Sequence, residues 1–491
     1  MAGSKLPSGS LPSLVAIDLG AESCRVSLLT PAPEGPQIRL VHRFPNAPVS
    51  RGESLFWDLE QILPEIERGL LRCGEQATAP VVSIGVDGWA VDYVRLDGAG
   101  RRIGLPFCYR DLRTEAMVKA VEGQCPREEL FELSGAQPLR INTQFQLMAD
   151  QAAGVPASAR WINLPEYVLA TLGGRMVAEY TNATHTGLVD MRRHAWCQKV
   201  FDLSGLQIEA APPLVATGTD VGELRSFEAA ATALQHARLV ATACHDTASA
   251  VAAIPLDGDE WAYISSGTWS LVGTLLDQPI TTAEACSMGF TNQGAAGDRV
   301  CFHKNVNGMW LVKQTLAQLC PDGERWPMQD LIAAAKSLPA PDFLLDVDDP
   351  DLLLPGAMAS RINAQLRRQG RAAIEESPEN MPRLASLICH SLAARYATVL
   401  RDAERLTGKR FRRLAIVGGG SLNRFLNQLT AEATGLKVYC GVAESATIGN
   451  FAIQLATWEG EQNSPARIAH WANVLTELHI GKSACYAPTA R

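Results

Sequence analysis

One arrangement occurs twice in this 491-residue chain and constrains its fold more than any other. A short apolar run ends at a turn of small residues, and a second apolar run follows at once. The first copy is LVAID (residues 14–18), a turn at Leu19-Gly20, and CRVSLLT (24–30). A further strand, IRLVHRF (38–44), comes after a short link, which favours an antiparallel meander. The second copy is WAYIS (261–265), the turn Ser266-Gly267-Thr268, and WSLVGTLL (269–276). Downstream of each copy lies a buried-type strand that ends in glycine. These are VVSIGV (81–86) before Asp87-Gly88-Trp89, and LAIV (414–417) before Gly418-Gly419-Gly420. Helical spacing appears at 59–71, where Pro64 interrupts it, and at 331–336, 381–406 and 423–434. Two α/β domains on one duplicated plan are the economical reading. The sequence predicts them at 14–253 and 259–462, with tails at 1–13 and 463–491. Ile254-Pro255 and Asp257-Gly258-Asp259 break the pattern between them.

Composition narrows the function classes. Hydrophobic residues make up 47% and charged residues 20%, the balance of a globular chain able to build large cores. The net charge of −8 argues against a nucleic-acid partner, so any bound anion must be held by local geometry. The start, MAGSKLPSGSLPS, lacks the apolar segment of a signal peptide, and no long apolar run predicts a membrane span. The 12 cysteines include no close pair and the nine histidines no HExxH, which excludes zinc-ribbon, thioredoxin-like and zincin sites. The expectation is a cytoplasmic protein with reduced thiols, in which the sequon Asn182-Ala-Thr184 is inert.

Four motifs carry chemistry. In Asp18-Leu-Gly20-Ala-Glu22-Ser23-Cys24-Arg25, Gly20 permits a tight turn and Ser23 with nearby N–H groups suits phosphate oxygens. Asp18 suits a metal-bound water there; the alternative is a plain hairpin with a surface carboxylate. Ser265-Ser266-Gly267-Thr268-Trp269-Ser270 is the second turn, and two such hairpins suit a grip on one phosphate chain. Gly418-Gly419-Gly420 before a helix lets a flat ligand approach the backbone, although it fits neither a Rossmann nor a Walker A pattern. Ile480-Gly481-Lys482-Ser483 lacks the earlier glycine of a P-loop. In His245-Asp246-Thr247-Ala-Ser-Ala, a carboxylate stands among small residues. Such an Asp can take the proton of a hydroxyl nucleophile, or simply cap a helix over 247–253. Trp89, Trp269 and Trp310 read first as core residues, and the basic run 409–413 as a solvated loop.

The order DLGAESCR, GVDGWAVDY, GLPFCYRDLRT, EYTNATHTGLVD, HDTASA, SSGTWSL, KNVNGMWL and VGGGSLN resembles the FGGY carbohydrate kinases across 14–458. HDTASA followed by SSGTWSL is the most specific part. The resemblance implies two ribonuclease-H-like domains of the actin-like ATPase type with a cleft between them, taking Mg²⁺ with ATP on one side and a sugar on the other. It is closest to the branch that phosphorylates L-rhamnulose at the 1-hydroxyl in L-rhamnose breakdown. By position, it implies that Asp246 accepts the proton, with His245 and Thr247 beside it and Asn305 on the sugar. Ala21, Glu22, Ser23, Cys24 and Arg25 would form the first phosphate loop and Thr268 the second. Gly419 would approach the nucleotide, and Asp18 would orient Mg²⁺ through water.

The chain departs from the family pattern at three places. Gly88-Trp89-Ala90 stands where the family has Thr-Trp-Gly, which puts Ala90 at a sugar contact. Cys24 replaces a frequent Gly, and Lys313 stands where the family places a nucleotide-side Gln. Ala90 keeps open a related ketose, L-fuculose, L-ribulose or D-xylulose, as substrate. A non-catalytic sugar sensor on the same fold is the rival outside the enzymes, and an intact Asp246 argues against it.

Overall fold

A computed structural model of the chain describes residues 11–225, 229, 232–321, 325–354, 356–441, 443–480 and 484–488. The P-loop-like Gly481-Lys482-Ser483 and most of the N-terminal tail lie outside them. The chain divides into two compact units, the first formed by Met1–Pro255, Leu276–Cys301 and Ser445–Gly481, the second by Leu256–Leu275, Phe302–Glu444 and Lys482–Arg491.

The first unit is built on a six-stranded sheet. Its order is Thr219–Glu223, Arg238–Ala241, Val81–Gly88, Ser13–Leu19, Ser23–Thr30, Gln37–Pro45. Ser13–Leu19 runs antiparallel to Ser23–Thr30, with Asp18 opposite Arg25. It runs parallel to Val81–Gly88, with Asp18 opposite Asp87. Arg238–Ala241 joins Val81–Gly88 in parallel. Every residue of Ser13–Leu19 is buried, as expected of a central strand covered on both faces.

Helix Leu59–Gln76 packs on the outer hairpin with Leu59, Ile62, Ile66, Leu70 and Cys73 inward. Asp58 caps it by accepting the Glu60 N–H. Pro64 does not interrupt this helix; the one hydrogen bond lost near its start is offset by the continuous apolar face on either side.

Helix Ser445–Trp458 packs against Ser13–Leu19, Val81–Gly88 and the short helix Asp246–Ala252. The two helices touch backbone to backbone: a Cβ added at Gly449 would lie 1.8 Å from the Ser249 carbonyl oxygen. The run of small residues after Asp246 therefore serves helix packing. The residues beyond 462, expected as a tail, form helix Pro465–Ile480 in the same unit, with Ile468, Trp471, Ala472 and Leu475 buried. Their helical spacing makes one apolar stripe.

The second unit repeats the plan. Trp261–Ser266 is antiparallel to Trp269–Leu276 and parallel to Arg413–Val417, which pairs in parallel with Lys437–Cys440. The 27-residue helix Met381–Thr407 packs on helix Arg424–Thr434 and ends at Gly408, whose φ of 72° terminates it. Among the described residues, no helix is long and apolar enough to cross a membrane. All twelve cysteines are free thiols, eleven of them buried.

Candidate active site

Three carboxylates meet at neighbouring strand ends in the first unit. Asp18 is the penultimate residue of the strand Ser13–Leu19, and parallel register brings Asp87 level with it. Gly88 bridges to His245, and the Gly88 N–H donates to the Cys244 carbonyl at 2.9 Å, which sets Asp246 beside them. Ligands of open α/β sheets bind outside such strand ends.

Asp18 is nearly buried and receives Arg25 Nη1 at 2.8 Å, so it is no surface carboxylate. The turn after it needs glycine, because a Cβ at Gly20 would meet the Ser23 oxygen at 2.4 Å. Asn46 fixes this turn by donating from its side chain to the Gly20 carbonyl and from its N–H to the Glu22 carbonyl. Within the loop, Glu22 is exposed, Ala21 and Ser23 are half-buried, and the Ser23 hydroxyl has no protein partner. The Cys24 side chain turns away from the loop. Its thiol is fully buried, donates to the Gly20 carbonyl at 3.7 Å, and is pushed up to about 12 by burial and then by Asp18. Strand alternation turns Arg25 toward Asp18 and Cys24 into the core.

Asp87 stands in the GVDGWAVDY motif, where the sequence alone attaches no role to this carboxylate. It is fully buried and accepts the Asn450 amide at 2.6 Å on one oxygen; the other has no partner. Burial, then Asp18, pushes its carboxyl well above the usual range, and Asp246 adds to this. A strand ending in Asp-Gly beside one ending in Asp-Leu-Gly was the available signal, but its meaning depends on register.

Asp246 opens helix Asp246–Ala252 as its first residue; His245 occupies the cap position and makes no side-chain cap bond. The capping role considered for Asp246 is therefore not what the fold uses. Thr247 Oγ1 donates to Asp246 Oδ1 at 3.2 Å, and His245 Nε2 lies 3.4 Å from that oxygen. The side chain keeps 36% of its surface accessible. Loss of hydration where protein covers the rest, and then the Asp18 charge, push its carboxyl up to about 7.

The loop Gly88-Trp89-Ala90 is anchored from below. Trp57 and Trp89 each donate an indole N–H to Asp92 Oδ2, at 2.5 and 3.0 Å, and their rings pack 4.4 Å apart. Trp89 is thus a core residue, and Ala90 is buried beside it. Val91 adopts a φ of 69°, strained for a β-branched residue, and its carbonyl accepts from Thr143 at 2.7 Å. Asn182 is buried and gives its amide to Glu166 at 2.8 Å, so its sequon is structural.

The remaining expected residues belong to the second unit. Thr268 is half-buried in the hairpin turn, which is tied down where the Met309 and Trp310 N–H groups donate to the carbonyls of Gly267 and Thr268. Trp269 is 41% exposed, contrary to its reading as core, because it is the first strand residue beyond the turn. Asn305 is half-buried with an unpartnered Oδ1. Lys313 lies exposed on helix Trp310–Leu319. At Gly418, with φ of 80°, and at Gly420, an added Cβ would strike Ser266; at Gly419 it would meet nothing. The protein itself does not require glycine at 419, which leaves room there for a ligand.

Solved structures share this architecture. Gluconate kinase from Lactobacillus acidophilus superposes with a TM-score of 0.76 over 98% of this chain and 94% of its own, at 14% identity. Xylulose kinase from the same organism gives 0.75 over the same shares, also at 14% identity. At that identity the likeness shows a shared fold, an α/β architecture of two units. Family models for the N-terminal and C-terminal domains of the FGGY family of carbohydrate kinases match residues 13–253 and 262–458. The rhamnulokinase of Klebsiella pneumoniae subsp. pneumoniae is 38% identical over 453 residues, covering 91% of this chain and 90% of that protein. The chain belongs to the FGGY family of carbohydrate kinases.

Proposed function

We propose that this kinase transfers the γ-phosphoryl group of ATP to the 1-hydroxyl of L-rhamnulose, releasing L-rhamnulose 1-phosphate and ADP. The identity to a rhamnulokinase over nine-tenths of both chains supports the substrate. The observation that carries the chemistry is geometric: Asp246 stands beside Asp18 and Asp87 at the strand ends and is reachable from solvent, with burial pushing its carboxyl up to about 7. A base of that strength is substantially ionised near neutral pH and takes a proton more readily than an ordinary carboxylate. Asp246 accepts the hydroxyl proton as the sugar oxygen bonds to the γ-phosphorus and the bond from phosphorus to the ADP oxygen breaks.

The other residues align and neutralise. Ser23 and the N–H groups of its loop offer donors to phosphate oxygens, with Arg25 adjacent as a cation. Thr268 and Gly419, in the second unit, are the residues that family likeness assigns to the nucleotide. In the first unit His245, Thr247 and the backbone at Ala90 bind the sugar, to which family likeness assigns Asn305 as well. Among the described residues, no cluster of three acidic, histidine or cysteine side chains is arranged to hold a metal directly. The acidic group does fit a cation held through water, because Asp87 keeps a buried oxygen without a partner and Asp18 raises both other carboxyls. Magnesium arriving with ATP would be held there by Asp18 and Asp87, and when bound it neutralises charge on the transferring phosphates.

Ala90 favours a second reading, a related ketose, since its methyl group occupies space that the family's glycine leaves open. ADP release with Mg-ATP across L-rhamnulose, L-fuculose, L-ribulose and D-xylulose separates the two. L-rhamnulose is expected to give the highest kcat/KM, and a higher value for another ketose would replace it as the substrate.

A further inference from the structure

We propose that His185 and Gln293 are positioning residues for phosphoryl transfer, holding His245 with its proton on Nε2, toward Asp246. The proposal rests on the reading of Asp246 as the proton acceptor. His185 lies in the EYTNATHTGLVD stretch, to which no role beyond family likeness attached.

Four side chains form one line in the first unit. Gln293 Nε2 is 3.2 Å from His185 Nδ1, and His185 Nε2 is 3.0 Å from His245 Nδ1. His245 Nε2 is in turn 3.4 Å from Asp246 Oδ1. Gln293, His185 and His245 are all buried, and the two imidazoles pack with centroids 3.9 Å apart.

A neutral imidazole carries one N–H and one lone pair, so the direction of one bond in such a line fixes the rest. A bare His245 Nε2 facing the Asp246 carboxylate would oppose two electron-rich atoms, whereas an N–H there attracts the carboxylate. Nδ1 of His245 is then an acceptor, so His185 Nε2 must donate to it. That leaves His185 Nδ1 to accept from the Gln293 amide, the direction in which an NH₂ group can only donate. Every proton in the line points toward Asp246.

The surroundings hold the line in place. The Asn142 amide donates to the His185 carbonyl at 3.0 Å, and the Gly294 N–H donates to Thr184 Oγ1 at 2.9 Å. This ties the turn carrying His185 to the strand carrying Gln293. Without the His185 donor only the Asp246 contact selects the Nε2-protonated form, so the imidazole is less firmly held against the carboxylate that must meet the sugar hydroxyl.

Nitrogen-resolved NMR of the full-length protein, with histidines labelled in the ring, reads the tautomer. Wild type is expected to show His245 protonated on Nε2 and bare on Nδ1. His185→Leu fills similar space without a donor. It is expected to lower kcat about 10-fold with KM for ATP changed by less than about two-fold, the scale seen when an imidazole loses its orienting partner. His185→Gln restores an amide donor and should recover most of kcat. Protonation of wild-type His245 on Nδ1 overturns the proposal, as does equal loss of kcat in the Leu and Gln variants, which would show a packing role. If both variants fail to fold, the wild-type tautomer decides. Asp246→Asn separates the two layers. Retained turnover there removes the base assignment and this proposal with it. An inactive Asp246→Asn alongside a His185→Leu that turns over like wild type removes the positioning role alone.

Discussion

The burial that raises the Asp246 carboxyl to about 7 equips it as a base and also costs the fold stability. The sign follows from linkage: the folded state favours the protonated form, so the stability kept with that form is present in full below the ordinary carboxylate value near 4. It is lost as pH rises through about 7. Asp246→Asn removes the charge, so its melting temperature should exceed wild type by a few degrees at about pH 8 and match it near pH 4. Scanning calorimetry at the two pH values checks this; an equal offset at both would mean that the charge is not the cause. The same variant should bind sugar, by titration calorimetry, while turnover falls about 10²–10⁴-fold. In wild type, kcat should decline as pH falls below about 7, where Asp246 takes up its proton. At this scale the sequence was readable wherever a chemical residue type ended an apolar run, as at Asp18 and Asp246. Asp87 escaped because its significance comes from lying level with Asp18 in a parallel pair 69 positions away along the chain, and register is not written locally. The burial of the Cys24 thiol was not legible either, because neighbours on a strand face opposite sides, so the side chain of one residue of the loop motif reaches Asp18 while that of the other is core.

Two glycine-bearing elements make contrasting demands on the same residue type. In helix Ser445–Trp458, Gly449 exists for contact: an added methyl would strike the Ser249 oxygen at 1.8 Å. Ala improves helix propensity by about 1 kcal/mol, but overpacking against backbone costs about 1–3 kcal/mol or more. Gly449→Ala should therefore destabilise the protein in urea and, by shifting helix Asp246–Ala252, lower kcat as well. A Gly449→Ala protein more stable than wild type would show that the two helices can separate without loss. In the turn Gly418–Gly420, Gly419 faces open space. Gly419→Ala is expected to leave the melting temperature within about a degree of wild type, since surface changes away from packed features are small. It should raise KM for ATP several-fold while KM for the sugar holds; unchanged ATP kinetics would remove Gly419 from the nucleotide site. The elements themselves were legible because strand and helix periods are local properties, and the duplicated hairpin was visible at once. Pro64 misled because a local breaker signal was outweighed by a buried face spanning five turns, a tertiary effect.

Along the whole chain, the division into units does not follow sequence order. The first unit takes back Ser445–Gly481 after nearly all of the second unit has been laid down. Helix Ser445–Trp458 is buried along almost its entire length, and its spacing announces a buried helix without saying which sheet it covers. It covers the first unit's central strands. Gln454 donates to the Val15 carbonyl at 2.9 Å and accepts from Ser83 at 2.6 Å, and Asn450 partners the buried Asp87. Contiguous domains at 14–253 and 259–462 would leave those partners on separate pieces. Ile448, Phe451, Ile453 and Leu455 are buried, and at about 1.5–3 kcal/mol each their loss from the first unit removes about 6–12 kcal/mol. That is comparable to the entire stability of an ordinary domain, about 5–15 kcal/mol, before the orphaned Asp87 is counted. A fragment of residues 11–255 should therefore lack a cooperative thermal transition by circular dichroism and show collapsed NMR dispersion. Adding residues 276–301 and 445–480 through flexible linkers should restore both. A fragment ending at 255 that melts cooperatively near the full-length midpoint would show that the returning helix decorates the first unit without completing it.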